Sequence, residues 1–75
     1  MTGHPGHHKA QQLIEHEAYR RIMAGEAPQS LDDFAQQLLA WLHTTYPEAA
    51  PTTLDLVEHD IRDTWHRRHE LIRGG

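Results

Sequence analysis

The chain has 75 residues, of which 37% are hydrophobic. This length has room for one domain and excludes a second. Its formal net charge is −4 with histidine neutral, from 7 basic and 11 acidic residues. Cysteine is absent, which excludes disulfides and thiolate metal sites. A core this small often needs further stabilisation, and oligomerisation is the means we favour over histidine metal binding.

The first segment, residues 1–8, contains Gly3, Pro5 and Gly6 among three histidines. It shows no apolar periodicity, and its glycines and proline are typical of irregular chain. We therefore predict a disordered, histidine-rich N-terminal arm that ends at His8.

The first helix is predicted to begin at Lys9 and to run to about Ala24. Apolar residues recur every four positions, which is typical of an amphipathic helix, at Ala10, Ile14, Ala18 and Ile22. Gly25 follows where a left-handed C-terminal cap is expected.

The second helix is predicted between Ser30 and Pro47. Ser30 with Asp33 three residues later resembles a capping box, and Pro47 forces its predecessor out of the helical region. One face carries Leu31, Phe34, Ala35, Leu38, Trp41, Leu42 and Thr45, widened by Leu39 and Tyr46.

The third helix is predicted to start after Thr52 or Thr53, either of which could cap it, and to run to about Arg73. Its apolar seam consists of Leu54, Val57, Ile61, Trp65, Arg68 and Ile72. At the standard rise per residue it would be about 30 Å long, longer than the other two helices.

Together these patterns predict an all-α fold, in which residues 9–75 form a single three-helix domain. The expected architecture is a three-helix bundle with a disordered His-rich arm over residues 1–8 and a longer third helix. Leu39, Leu56 and Leu71 fall outside the central stripes, which favours a partner surface and self-association. The alternative is that one monomer covers them itself.

Charge is unevenly distributed along the chain. No lysine or arginine occurs between Arg21 and Arg62, whereas that interval is rich in carboxylates, and the end of the third helix is locally basic. We predict a partner-binding surface at this basic end, formed by Arg62, His66, Arg67, Arg68, His69 and Arg73. It would bind a protein partner or the acidic middle of a second copy, because complementary charge steers association.

A DNA-associated, helix-turn-helix-like regulator is the first alternative, because a basic helix follows a shorter helix and a turn. Two features weaken it. The connection over residues 47–52 is longer than is usual in that motif. The first half of the third helix carries Asp55, Glu58 and Asp60, which phosphates would repel.

Metal binding is the second alternative, because the chain has 8 histidines and imidazole binds copper, nickel and zinc. The candidate ligands on the arm are His4, His7 and His8. A second set shares one side of the third helix, at His59, Asp63, His66 and Glu70. That side faces away from the apolar seam, so a solvated surface with weak ion pairs is the competing interpretation.

We expect neither enzymatic activity nor a cofactor. The sequence has no cysteine nucleophile and no glycine-rich phosphate loop, and three short helices leave little interior for a catalytic pocket. It also lacks a long apolar stretch and the features of a signal peptide, so we expect no membrane association and a cytoplasmic location. The arginine, alanine and histidine content suggests a GC-rich bacterial genome.

Overall fold

The computed structural model describes residues 5–48 and 52–74, and side chains over residues 9–48 and 52–73. Within these ranges the chain forms helices and no strand, which confirms the all-α class. The helices are α1 (Pro5–Met23), α2 (Leu31–Thr45), α3 (Leu54–His66) and α4 (Arg68–Gly74). The first three contact one another as in a three-helix bundle, and α4 contacts α1 and α3.

The core forms where the three predicted stripes meet. All four residues of the α1 stripe are buried, and they pack against buried side chains of the other two helices: Phe34, Ala35, Leu38, Leu42, Val57, Ile61 and Trp65. Phe34 and Trp65 join α2 to α3 through rings whose centroids are 5.5 Å apart. Such aromatic contacts add to the stabilisation from apolar burial.

The end of α1 has the glycine cap predicted from the sequence. Gly25 has a φ of 75°, in the left-handed region. Its backbone N–H donates to the Ile22 carbonyl at 3.1 Å, and the N–H of Glu26 donates to the Arg21 carbonyl at 2.8 Å. This is the hydrogen-bond pattern of a Schellman motif, which reverses the chain directly after the helix.

Hydroxyl caps begin the next two helices. Ser30 Oγ accepts from the Asp33 backbone N–H at 3.2 Å, and Thr53 Oγ1 accepts from that of Leu56 at 3.2 Å. Both caps confirm the sequence predictions, because each side chain satisfies an amide that has no partner within its helix. Helix α2 ends at Thr45, just before Pro47, also as predicted.

The predicted arm is wrong for residues 5–8, because α1 begins at Pro5 and not at Lys9. Proline is favourable in the first helical position, where its missing N–H needs no partner and its fixed φ suits the helix. Pro5 thus begins a helix here, although a proline between two glycines and histidines predicts irregular chain. Residues 1–4 of the predicted arm lie outside the described residues.

The prediction of a longer third helix is also wrong. Helix α3 ends at His66, Arg67 adopts φ −98° and ψ 11°, and the chain resumes as the 7-residue α4. Among the described helices α1 is the longest, with 19 residues. At this break the Arg68 side chain donates to the Trp65 backbone carbonyl at 2.8 Å, as basic side chains do at helix ends.

This break changes which apolar residues reach solvent. Ile72 was predicted in the buried seam but is 52% exposed. Leu39 packs against the core, Leu71 is partly buried, and Leu56 is 41% exposed. One monomer therefore covers much of the leucine surface that favoured self-association, and α4 exposes an isoleucine instead.

The Ser30 cap gives a test of local stability. Ser30→Ala should lower the free energy of unfolding by about 1 kcal/mol, because the Asp33 amide loses its acceptor. Ser30→Asp retains an acceptor, so its free energy of unfolding should stay close to that of the parent protein. Equal stability of all three proteins in urea unfolding would contradict the capping role.

Candidate functional site

A groove of about 280 Å³ opens between α4 and the loop that follows α1. We call it the α4 groove, and its lining residues are Ile22, Gly25, Ala27, Pro28, Gln29, Arg68, His69 and Ile72. Its walls combine apolar and polar surface in nearly equal shares, and Arg68 and His69 supply its positive or ionisable groups. It contains two of the predicted partner-binding residues.

Two breaks in helical structure create the groove. The left-handed Gly25 ends α1 and turns the chain into the loop that carries Ala27 and Pro28. The break at Arg67 then places α4 where Arg68 and Ile72 line the opposite side. The groove therefore depends on residues that are distant in the sequence.

Ion pairs hold the loop against the end of α1. Arg20 Nη2 lies 3.0 Å from Glu17 Oε2 and 3.3 Å from Glu26 Oε1, and Arg21 Nε lies 2.8 Å from Glu17 Oε2. The hydrogen bond from Arg20 lowers the pKa of Glu17, against the raising effect of its partial burial, and Arg21 adds to the lowering. These arginines are therefore engaged within the chain and leave the groove to the cation of Arg68.

Arg68 is fixed by contacts with its own chain. Its guanidinium carbon lies 3.7 Å from the centroid of the Trp65 ring, and Nη1 donates to the Trp65 carbonyl. Trp65 is itself only 5% exposed, so it provides a rigid support for the cation. The aromatic ring that the Arg68 guanidinium contacts therefore belongs to the same chain.

The other predicted partner-binding residues lie on the surface outside the groove lining. Arg67 pairs with Asp63 at 3.1 Å, and both side chains are largely exposed. Three more are exposed and form no ion pair with another described side chain: Arg62, His66 and Arg73. The structure thus brings Arg68 and His69 into one site, and the partner role of the whole set stays a prediction.

An acidic patch lies where α2 meets α3, and we define it as Asp32, Asp55 and Glu58. The hydrogen-bonded carboxyl of Asp32 raises the pKa of Glu58, and desolvation and the charge of Asp55 act in the same direction. Arg62 opposes the shift with a smaller effect. The patch therefore has more negative charge than the nearby cation neutralises.

The predicted metal ligands of the arm are not tested here. His4 lies outside the described residues, and His7 and His8 belong to α1 by their backbone while their side chains lie outside the description. Over the side chains at 9–48 and 52–73, no group of three or more histidines and carboxylates is arranged to hold a metal ion. On the predicted histidine side of α3, the His59 side chain is 79% exposed, and its Nδ1 lies 3.7 Å from Asp60 Oδ1.

None of the helices in the described ranges is long and apolar enough to cross a membrane. Comparisons of the chain with protein-family models, curated proteins and solved structures find no match. The function must therefore be inferred from the residues and their geometry alone.

The Arg68 contacts can be tested against the neighbouring arginine. Arg68→Met retains the aliphatic stem but loses the cation–π contact and the hydrogen bond, and should lower the free energy of unfolding by about 1–2 kcal/mol. Arg67→Met removes only an exposed ion pair and should change it by less than about 0.5 kcal/mol. Equal effects of the two changes in urea unfolding would refute the structural role of Arg68.

The acidic patch predicts that Glu58→Gln raises the thermal stability of the protein by an amount that depends on pH. A raised pKa means that the native state binds the proton more tightly than the unfolded chain does, so stability falls as pH rises through the native pKa. Removing the charge should therefore raise the Tm at pH 7, and the gain should shrink as the solution becomes acidic. The control is Glu48→Gln at an exposed position, and a Tm gain for Glu58→Gln that does not change with pH would contradict this explanation.

Proposed function

We propose that this chain is a small, non-enzymatic protein-interaction module that docks a protein surface on the α4 groove. The observation that carries this proposal is a groove with a half-exposed apolar wall residue, Ile72, beside the fixed cation of Arg68. Exposed apolar surface rimmed by polar groups is typical of interaction sites. Its small volume and lack of converging acid, base and nucleophile favour binding over catalysis.

The occupant we propose is a second copy of the chain. The acidic patch offers a surface complementary in charge to the basic residues near the groove, including His69 and Arg73. The pKa of Glu58 is raised first by its hydrogen bond with Asp32 and by desolvation, and then by the negative charges of Asp32 and Asp55, which a cationic partner would offset. Complementary patches of this kind steer association and fix its register.

The two surfaces also adjoin one another along the chain. Gln29 lines the groove, and Asp32 of the acidic patch follows in the first turn of α2. A face that carries both an acidic and a basic surface can pair with an identical face around a two-fold axis, so that each contact occurs twice. We therefore propose a symmetric dimer.

The remaining hypotheses stay predictions of the sequence. DNA binding is disfavoured by the acidic patch, which lies close to Arg62 and would repel phosphates there. Metal binding by the arm and a cytoplasmic location in a bacterium also stay predictions.

Analytical ultracentrifugation tests the proposal directly. The parent protein should show a mass that rises from monomer toward dimer with concentration, and added salt should weaken the association because it screens the charges. Ile72→Glu should weaken dimerisation by about tenfold or more, since it removes an apolar contact from the groove.

The matched control is Tyr19→Glu, which introduces the same charge at an exposed position of α1 that belongs neither to the groove lining nor to the acidic patch. It should leave the dissociation constant close to that of the parent. A monomer mass at every concentration would overturn self-association, and equal weakening by the two substitutions would overturn the assignment to the α4 groove.

A further inference from the structure

We infer that the α4 groove is a carboxylate-binding site, and that its ligand joins the carboxylate to a small apolar group. The inference builds on the proposed function, in which this groove is the docking surface, and adds the chemistry that the groove recognises. It depends on three features: the free edge of the Arg68 guanidinium, the charge of the groove lining, and the groove's size and apolar wall residues.

One edge of the Arg68 guanidinium forms no hydrogen bond with a described residue. Nη1 donates to the Trp65 carbonyl, whereas Nε and Nη2 have no partner among the described residues. The N–H groups of Nε and Nη2 point the same way and match the two oxygens of a carboxylate. A bidentate ion pair is therefore available without breaking either contact that holds Arg68 in place.

The fixed position of this guanidinium favours binding. A free arginine side chain loses much of its rotational freedom when it pairs with a ligand, but Arg68 is already held over the Trp65 ring at 3.7 Å. Partial burial also strengthens an ion pair relative to one in open water. These two effects distinguish Arg68 from Arg62 and Arg73, which are exposed and form no ion pair with another described side chain.

The groove has no carboxylate of its own to compete for Arg68. None of its lining residues is acidic, and His69 adds an imidazole that can donate a hydrogen bond. Among nearby acids, Glu26 pairs with Arg20 and Asp63 pairs with Arg67, whereas Glu70, two residues from Arg68, is exposed and lies outside the groove lining. The lining therefore favours an anionic ligand over a cationic one.

The walls of the groove determine the size and polarity of the group that accompanies the carboxylate. Ile22, Ala27, Pro28 and Ile72 offer apolar surface next to the guanidinium. The volume of about 280 Å³ lies near the lower limit of small-molecule pockets, so it suits one side chain or a small organic acid. In the dimer proposed above, the exposed Asp32 and Asp33 in the first turn of α2 of the second copy supply the carboxylate.

The test uses two probes of nearly identical shape, 4-methylpentanoate and 4-methylpentanamide, each titrated into the ¹⁵N-labelled protein and followed by NMR. The carboxylate should shift the amides of Gly25, His69 and Ile72 and the indole N–H of Trp65, with an affinity in the millimolar range expected of so small a ligand. The neutral amide should bind about tenfold more weakly, because it cannot form the ion pair.

Two variants connect the binding to Arg68. Arg68→Lys retains the charge but loses the planar pair of donors, and should weaken carboxylate binding by several-fold or more. Arg67→Lys is the matched control and should bind as the parent does. Circular dichroism checks that Arg68→Lys remains folded, and a folded Arg68→Lys protein that binds the carboxylate as tightly as the parent would overturn the inference.

Other outcomes separate this inference from the proposed dimer. Equal binding of acid and amide, or binding of neither, would overturn carboxylate recognition while sedimentation decides dimerisation independently. Carboxylate binding by a protein that remains monomeric would support the site and overturn the dimer. The double change Asp32→Asn and Asp33→Asn should weaken dimerisation and leave probe binding unchanged, and an unaffected dimer would overturn the second copy as the source of the carboxylate.

Discussion

The contact between Arg68 and Trp65 joins the end of α3 to the start of α4. The guanidinium covers the indole ring and donates to the Trp65 carbonyl, at the point where α3 ends. Without that break the chain would continue along the axis of α3, and Ile72 would not line a groove with the loop after α1. Arg68 thus caps a carbonyl at the end of α3 and supplies the charge of the candidate site.

Much of the fold could be predicted because its determinants are local or periodic. The buried positions of α1 recur every four residues, and the caps at Ser30 and Thr53 act on amides three residues away. The break at Arg67 could not be predicted in this way. The apolar period runs through the break as if the helix continued, and the hydrogen bond from Arg68 to the Trp65 carbonyl forms only in the folded chain.

The candidate site was predicted only in part, for a related reason. Uneven charge along the sequence identified the basic end of the chain, including Arg68 and His69. It could not identify the groove, because Ala27 and Pro28 reach α4 only through the fold. Nor could it show which cations are already paired, and Arg20, Arg21 and Arg67 all bind carboxylates of their own chain.

The shortness of α4 has a thermodynamic consequence. A helix of 7 residues is not stable alone in water, because its few hydrogen bonds do not repay the entropy of nucleation. Its helical state therefore depends on docking against α1 and α3. Any molecule that binds only to the docked form must stabilise that form by linkage. Binding in the groove and docking of α4 are therefore coupled, so that each favours the other.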